Sequence, residues 1–133
     1  MTGEAPKIRE VFLVALPRPD SPGHEQIGLR PAVVVGLPDS VATPRYPMLI
    51  IAPVSTRRGP WSLASPELYP ELRAGAGGLP KDSIVLLDQI RSIDARRIKG
   101  TFGRLDARDY EPLRLGLARI FVSPESPHPR RSV

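Results

Sequence analysis

Seventeen prolines in 133 residues bound what this chain can fold into. A proline lacks the backbone N–H and clashes with the preceding helical turn, so long helices are restricted to stretches almost free of it. What remains is short strands joined by ordered turns, and apolar runs of strand length do lie between the prolines. Glu10–Leu16, Arg30–Gly36, Met48–Val54, Ser83–Leu87 and Ile98–Leu105 are those runs, the last broken by Gly100 and Gly103. Trp61–Leu63 reads as an extension of a neighbouring strand. Ser65–Leu68 reads as a single helical turn that Pro70 limits, and Arg91–Arg97 as a polar corner. Asp106–Phe121 is the long helix, capped by Asp106, with Leu113, Leu117, Ile120 and Phe121 at three- and four-residue spacing on one face. Pro112 falls inside it, so a separate first turn recapped by Asp109 is expected. Five or more strands, one closing helix and no strand–helix alternation predict a mainly β (α+β) fold, a small, strongly bent antiparallel barrel.

The apolar share of 41% and the charged share of 25% are those of a globular chain. No apolar run is long enough to cross a bilayer, and residues 1–6 carry no basic-then-apolar leader, so no membrane partner is expected. Residues 1–8 are expected to be a flexible N-terminus, residues 9–122 a single domain, and residues 123–133 a disordered basic tail. The chain has no cysteine, which excludes disulfides and points to a cytoplasmic location. Two histidines, His24 and His128, write no tetrahedral metal site, and no cofactor is called for; a magnesium held by carboxylates is left open. Ala74–Gly78 is glycine-rich but leads into Pro80 without a Gly-Lys-Ser/Thr, so it is a turn and not a phosphate loop. Nineteen Lys and Arg against fourteen Asp and Glu give a net charge of +5, which favours a polyanionic partner such as nucleic acid.

The chain's chemistry gathers around Gly23-His24-Glu25-Gln26-Ile27-Gly28-Leu29-Arg30-Pro31-Ala32-Val33-Val34-Val35. Gly23 and Gly28 allow a sharp turn, and Pro31 pushes Arg30 towards an extended conformation. Ala32–Val35 is a run of the kind buried on both faces of a sheet. A guanidinium is thereby held where a loop meets a buried strand. Residues 17–29, rich in Pro, Asp, Ser and Gly, form a long loop of the kind that covers a binding site.

This stretch resembles the GSEQxGxRPxVV signature of the MazF/PemK toxin endoribonucleases. Asp82–Asp94 (DSIVLLDQIRSID) resembles that family's second signature, an apolar strand running into D/E-Q-I/V-R/K-T/S-I. With Phe12–Leu16 and the turn Pro53-Val54-Ser55-Thr56, the resemblance covers about residues 9–121. It implies an SH3-like barrel (CcdB/PemK-like) with a C-terminal helix. It also implies a toxin of a type II toxin–antitoxin system, a sequence-specific endoribonuclease. Such an enzyme cuts single-stranded RNA (mRNA) without a metal and leaves 2′,3′-cyclic phosphate and 5′-hydroxyl ends. The partners implied are RNA, a cognate antitoxin with an acidic tail, and a second copy in a homodimer.

Transesterification needs no protein nucleophile, because the substrate's 2′-hydroxyl attacks the adjacent phosphorus. It needs a base, an acid and positive charge on the phosphorane, and arginine suits the last. By resemblance Arg30 is the phosphate clamp, and a candidate proton donor, and Thr56 supplies a hydroxyl to the same phosphate. Glu25 matches an acidic loop position and is a candidate base. His24 stands where the family has serine and could take over proton transfer. Gln26 is expected to orient the loop by hydrogen bonds, with Arg57, Arg58, Trp61 and Tyr46 as further candidates for RNA contact. The family has a glycine where this chain has Arg9, so the start of the first strand is expected to differ.

Each residue has a plainer reading. Arg30 could brace the loop against a carboxylate, Thr56 could bond its own turn, and His24 could be an exposed loop histidine. Arg57, Arg58, Arg91, Arg96 and Arg97 could be solvated surface charges, and Gln89 and Asp94 corner-bracing groups. Two other functions fit the same fold: a CcdB-like gyrase-binding toxin acting through the end of its helix, and a non-catalytic RNA-binding member of the family.

Overall fold

The computed structural model describes residues 4–21 and 23–122. Three long strands form its centre: β1 (Glu10–Leu16), β2 (Gly28–Gly36) and β3 (Met48–Ser55). They pair as an antiparallel meander, Val11 facing Val33 and Ala32 facing Pro53. β2 begins at Gly28, two residues before the expected start at Arg30, so Arg30, expected as the first strand residue, is its third and stands opposite Val14.

Beyond β3 come α1 (Pro60–Leu63), β4 (Glu71–Leu72), β5 (Ser83–Val85), β6 (Arg91–Asp94), β7 (Ile98–Arg104) and α2 (Ala107–Val122). The free edge of β3 is shared: β6 takes Met48–Ile51 and β5 takes Val54–Ser55, with β4 outside β5. β7 returns to the other edge of β1, with irregularities on either side of Phe12–Leu13 that bend the pair. The order β4-β5-β3-β2-β1-β7 curls into an antiparallel half-barrel carrying a C-terminal helix.

Successive strand residues point to opposite faces, and both faces are buried. Val11, Val33, Ala52 and Val54 face one cluster, closed by Leu87, Leu105 and by Tyr110 and Leu113 of α2. Phe12, Val14, Ala32, Val34, Leu49 and Ile51 face a second, closed by Ile93, Leu37 and Ile98. Ile8 packs against both. The expectation that Ala32–Val35 is buried on both faces is met for Ala32, Val33 and Val34.

Several expectations need correction. Trp61–Leu63 extends no strand; it belongs to α1, because the buried Ser62 hydroxyl accepts from the Gly59 N–H (3.1 Å) and donates to the Gly59 carbonyl (2.9 Å), closing a turn. The strand expected at Ser83–Leu87 stops at Val85 and yields to a 3-10 turn at Leu87–Gln89. The polar corner is half strand: Arg91–Asp94 is β6, because the free edge of β3 takes it up, and only Ala95–Arg97 turns. Asp94 does brace that turn, accepting from the Arg96 N–H at 2.9 Å, and this bond chiefly holds its carboxyl below the usual range.

The helix is unbroken through Pro112. Asp106 caps it by accepting from the Asp109 N–H (2.7 Å), so Asp109 recaps nothing. Its buried face is Tyr110, Leu113 and Gly116; Ile120 and Phe121 are 43% and 70% exposed, off the expected stripe. Arg9 directly precedes Glu10, where β1 starts. It adopts the left-handed conformation a glycine would take (φ 79°), its N–H donating to Val34 and its carbonyl accepting from Leu105. The basic tail at 123–133 lies outside the described residues.

Candidate active site

Gly28 (φ 81°) turns the loop of residues 17–27 into β2, a backbone angle open to glycine and costly for other residues. Arg30 follows in the strand with its side chain exposed. Its Nε donates to the Ile27 carbonyl at 3.1 Å, which aims the guanidinium. Among the described residues its terminal amino groups have no partner, so the reading of Arg30 as one half of a bracing ion pair is not met. The β2–β3 register, Ala32 against Pro53, carried two residues outward puts Arg30 level with Ser55. Thr56 is the next residue.

At that turn the Ser55 hydroxyl accepts from the Arg57 N–H at 3.0 Å. Ser55 therefore plays the turn-bonding part considered for Thr56, whose exposed hydroxyl has no partner among the described residues. Arg57 is exposed and its guanidinium is likewise unpaired among them. Arg58 is engaged: it reaches the Ser83 carbonyl (3.4 Å) and Glu71 (3.7 Å) beside a cavity of about 300 Å³ that Leu72, Arg73 and Asp82 also line.

Among the described residues, no backbone–backbone bond ties residues 17–27 to the sheet. Side chains from the β5–β6 connection and from the first residue of β6 do so. Gln89 Oε1 accepts from the Gln26 N–H (3.2 Å), Gln89 Nε2 donates to the His24 carbonyl (3.2 Å), and Arg91 Nη1 donates to the Gln26 carbonyl (3.1 Å). The Glu25 carboxylate accepts from the Gly23 N–H at 2.9 Å and otherwise faces solvent, as does the His24 ring. Gln26 thus holds the loop through its backbone and not its side chain, whose Oε1 is buried without a partner among the described residues. The two neutral bonds stabilise this arrangement by about 0.5–1.5 kcal/mol each and the charged bond from Arg91 by about 1.5–3 kcal/mol, while the orphaned oxygen costs about 1–3 kcal/mol.

The corner that holds it is firm. The Tyr69 hydroxyl donates to Asp88 Oδ2 at 2.7 Å, and Trp61 packs edge-on to the Tyr69 ring, centroids 4.9 Å apart. Burial, then the bond to Asp88, pushes the phenol up to about 12. Trp61 is anchored here with part of its ring in solvent. Tyr46 is elsewhere: it precedes β3 at the end opposite Thr56, under the Arg45 guanidinium. Arg30, Thr56, Arg57, Glu25, His24 and Gln26 come from the two segments at the other end. The sequence marks Gln89 only as a corner-bracing group and Arg91 as a groove or surface charge; Gln89 closes the 3-10 turn and Arg91 opens β6, and no sequence pattern marks that both reach the loop.

Fold and site first give a class: an antiparallel half-barrel with a C-terminal helix, presenting where two neighbouring strands end an arginine whose terminal amino groups, and a hydroxyl, have no partner among the described residues. The same fold is found in MazF of Deinococcus radiodurans, with a TM-score of 0.65 over 88% of this chain and 96% of that one, at 23% identity. Residues 7–121 match the PemK-like, MazF-like toxins of type II toxin–antitoxin systems, and the chain belongs to that family. It is similar to Endoribonuclease MazF of Staphylococcus saprophyticus, 32% identical over 77 residues, which are 58% of this chain and 60% of that protein. Endoribonuclease EndoA of Bacillus subtilis is 31% identical over 84 residues, 63% of this chain and 68% of that protein. The chain thus spans roughly two thirds of the length of these relatives. Among the described residues no helix is long and apolar enough to cross a membrane.

Proposed function

We propose that this protein is a toxin endoribonuclease that cuts single-stranded RNA by transesterification, without a metal and at preferred sequences, and that an antitoxin restrains it. The observation that carries the reading is Arg30: oriented through its Nε, its terminal amino groups unpaired among the described residues, one strand away from the unpaired hydroxyl of Thr56. Family membership and the names of the two relatives support the same activity.

The 2′-hydroxyl attacks the neighbouring phosphorus and loses its proton to a base, as the bond to the 5′-oxygen breaks and that oxygen gains a proton. Cyclic phosphate and 5′-hydroxyl ends result. Arg30 bridges two phosphoryl oxygens with its planar fork as charge builds on them, and the Thr56 hydroxyl donates to one of them. A guanidinium holds its proton too tightly to be a good acid, so its part is electrostatic. Glu25, with the carboxylate's solvent side open, takes the 2′-proton. His24, on the same loop, is the side chain suited to returning one to the leaving oxygen. Arg57 and the exposed edge of Trp61 extend the RNA path beyond Thr56. A homodimer with the RNA in a basic groove is part of this reading.

The test is cleavage of a long unstructured RNA in EDTA by the protein and by Arg30→Ala, with the fragment ends analysed. Discrete cuts ending in cyclic phosphate, slowed about 10²–10³-fold in the variant, are expected. Intact RNA with antitoxin shown to be absent would sink the reading and turn attention to the exposed Ile120, Phe121 and Val122 as a protein-binding end.

A further inference from the structure

The loop that carries His24 and Glu25 depends on a residue 63 to 65 positions away. The Gln89 amide uses both of its ends on that loop, accepting from the Gln26 N–H and donating to the His24 carbonyl, much as a neighbouring strand would. Glu25 lies between the two tied residues, so the peptide groups on either side of it are fixed. Arg91 adds a third bond to the Gln26 carbonyl.

The base of this clamp stands on the core. The Gln89 N–H donates to the Leu86 carbonyl, Leu87 is buried, Tyr69 holds Asp88, and Arg91 is paired with Ile51. Loop and core are joined here by side chains, among residues whose backbones make no bond to one another.

We propose that Gln89, seconded by Arg91, is a positioning residue of the active site: it sets where Glu25 and His24 stand relative to the phosphate held by Arg30. This rests on the ribonuclease reading above. Gln89 touches no reacting atom. It acts by pinning the backbone of the proton-transferring loop to the rigid corner, which pre-organises the site.

Gln89→Met keeps the length and bulk of the side chain and removes both amide bonds. On an unstructured RNA its kcat is expected to fall about a hundredfold, the effect of displacing a reacting group by about 1 Å. Affinity for the same sequence as uncleavable 2′-O-methyl RNA is expected to stay within about twofold, because a positioning residue contributes little to uniform binding. The Gln26 amide is expected to exchange its hydrogen faster than in the parent. Gln89→Glu, which keeps the acceptor for Gln26 and loses the donor to His24, is expected to fall between the two in kcat, and covers the case in which Gln89→Met does not fold. An unchanged kcat alongside faster Gln26 exchange overturns the proposal, as does lost RNA affinity with kcat intact, which would make Gln89 an RNA contact. A parent protein that leaves RNA intact overturns the ribonuclease reading itself, and this proposal with it. Cleavage by the parent and equal cleavage by both variants overturns this proposal alone.

Discussion

Arg9 holds a backbone angle, φ 79°, that places its Cβ against its own carbonyl. Two bonds over-determine it, from its N–H to Val34 and from Leu105 to its carbonyl, so the residue stays where a glycine would be relaxed. Arg9→Gly removes roughly 1–2 kcal/mol of strain and adds about 0.5–1 kcal/mol of unfolded-state entropy. The variant is therefore expected to be more stable by roughly 0.5–1 kcal/mol in urea unfolding; a loss of stability would mean that the arginine side chain outweighs the strain. At this scale the sequence was a good guide wherever neighbours dictate conformation. Gly28 and Pro31 bracket Arg30, and its place among the first residues of β2, where the loop gives way to the strand, follows from them. The division of labour between Ser55 and Thr56 did not follow, because adjacent hydroxyls have equal claim to the turn until the backbone decides which one faces it.

The elements divide along the same line. β1 emerged at its expected bounds, since an apolar run between polar and proline-rich flanks has few other uses. β6 was missed because its polar residues carry no apolar periodicity; the open edge of β3 recruits it. The helix was legible in place but not in its lower face. Ile120 and Phe121 have the right spacing, yet α2 seats through Gly116, where a Cβ would stand 2.5 Å from Leu87 Cδ1 and 2.9 Å from the Glu67 carbonyl oxygen. A glycine used for close approach leaves no hydrophobic signature. Gly116→Ala has little room to relax against that backbone oxygen and is expected to cost about 1–3 kcal/mol, read as an earlier thermal midpoint. Since Leu87 begins the turn that bears Gln89, the strain of that variant enters close to the loop clamp.

For the molecule as a whole, the joint between Tyr69 and Asp88 makes stability depend on pH at the alkaline end. The phenol sits at about 12 in the folded protein against 10.0 ordinarily, so the folded state retains the proton longer than the unfolded chain. Its contribution is complete below the ordinary value and is lost as pH rises through the window up to the folded one. Between about pH 9 and about pH 11 the parent is expected to lose more stability than Tyr69→Phe in denaturant titrations, and parallel losses would show that the joint contributes nothing. The candidate site was legible in its signature residues and illegible in its assembly, because Gln89 reaches His24 and Gln26 across some half of the chain and no local pattern records that. A similar distance governs how the molecule comes into being. The outer edge of β1 is covered by β7, Glu10 lying against Arg104, so a nascent chain has made β1 long before its second partner exists. Until then one flank of the central meander is an open edge with unpaired amides, and the curl of the barrel is unfinished. β1 therefore waits for its second partner until the chain has been made as far as Arg104.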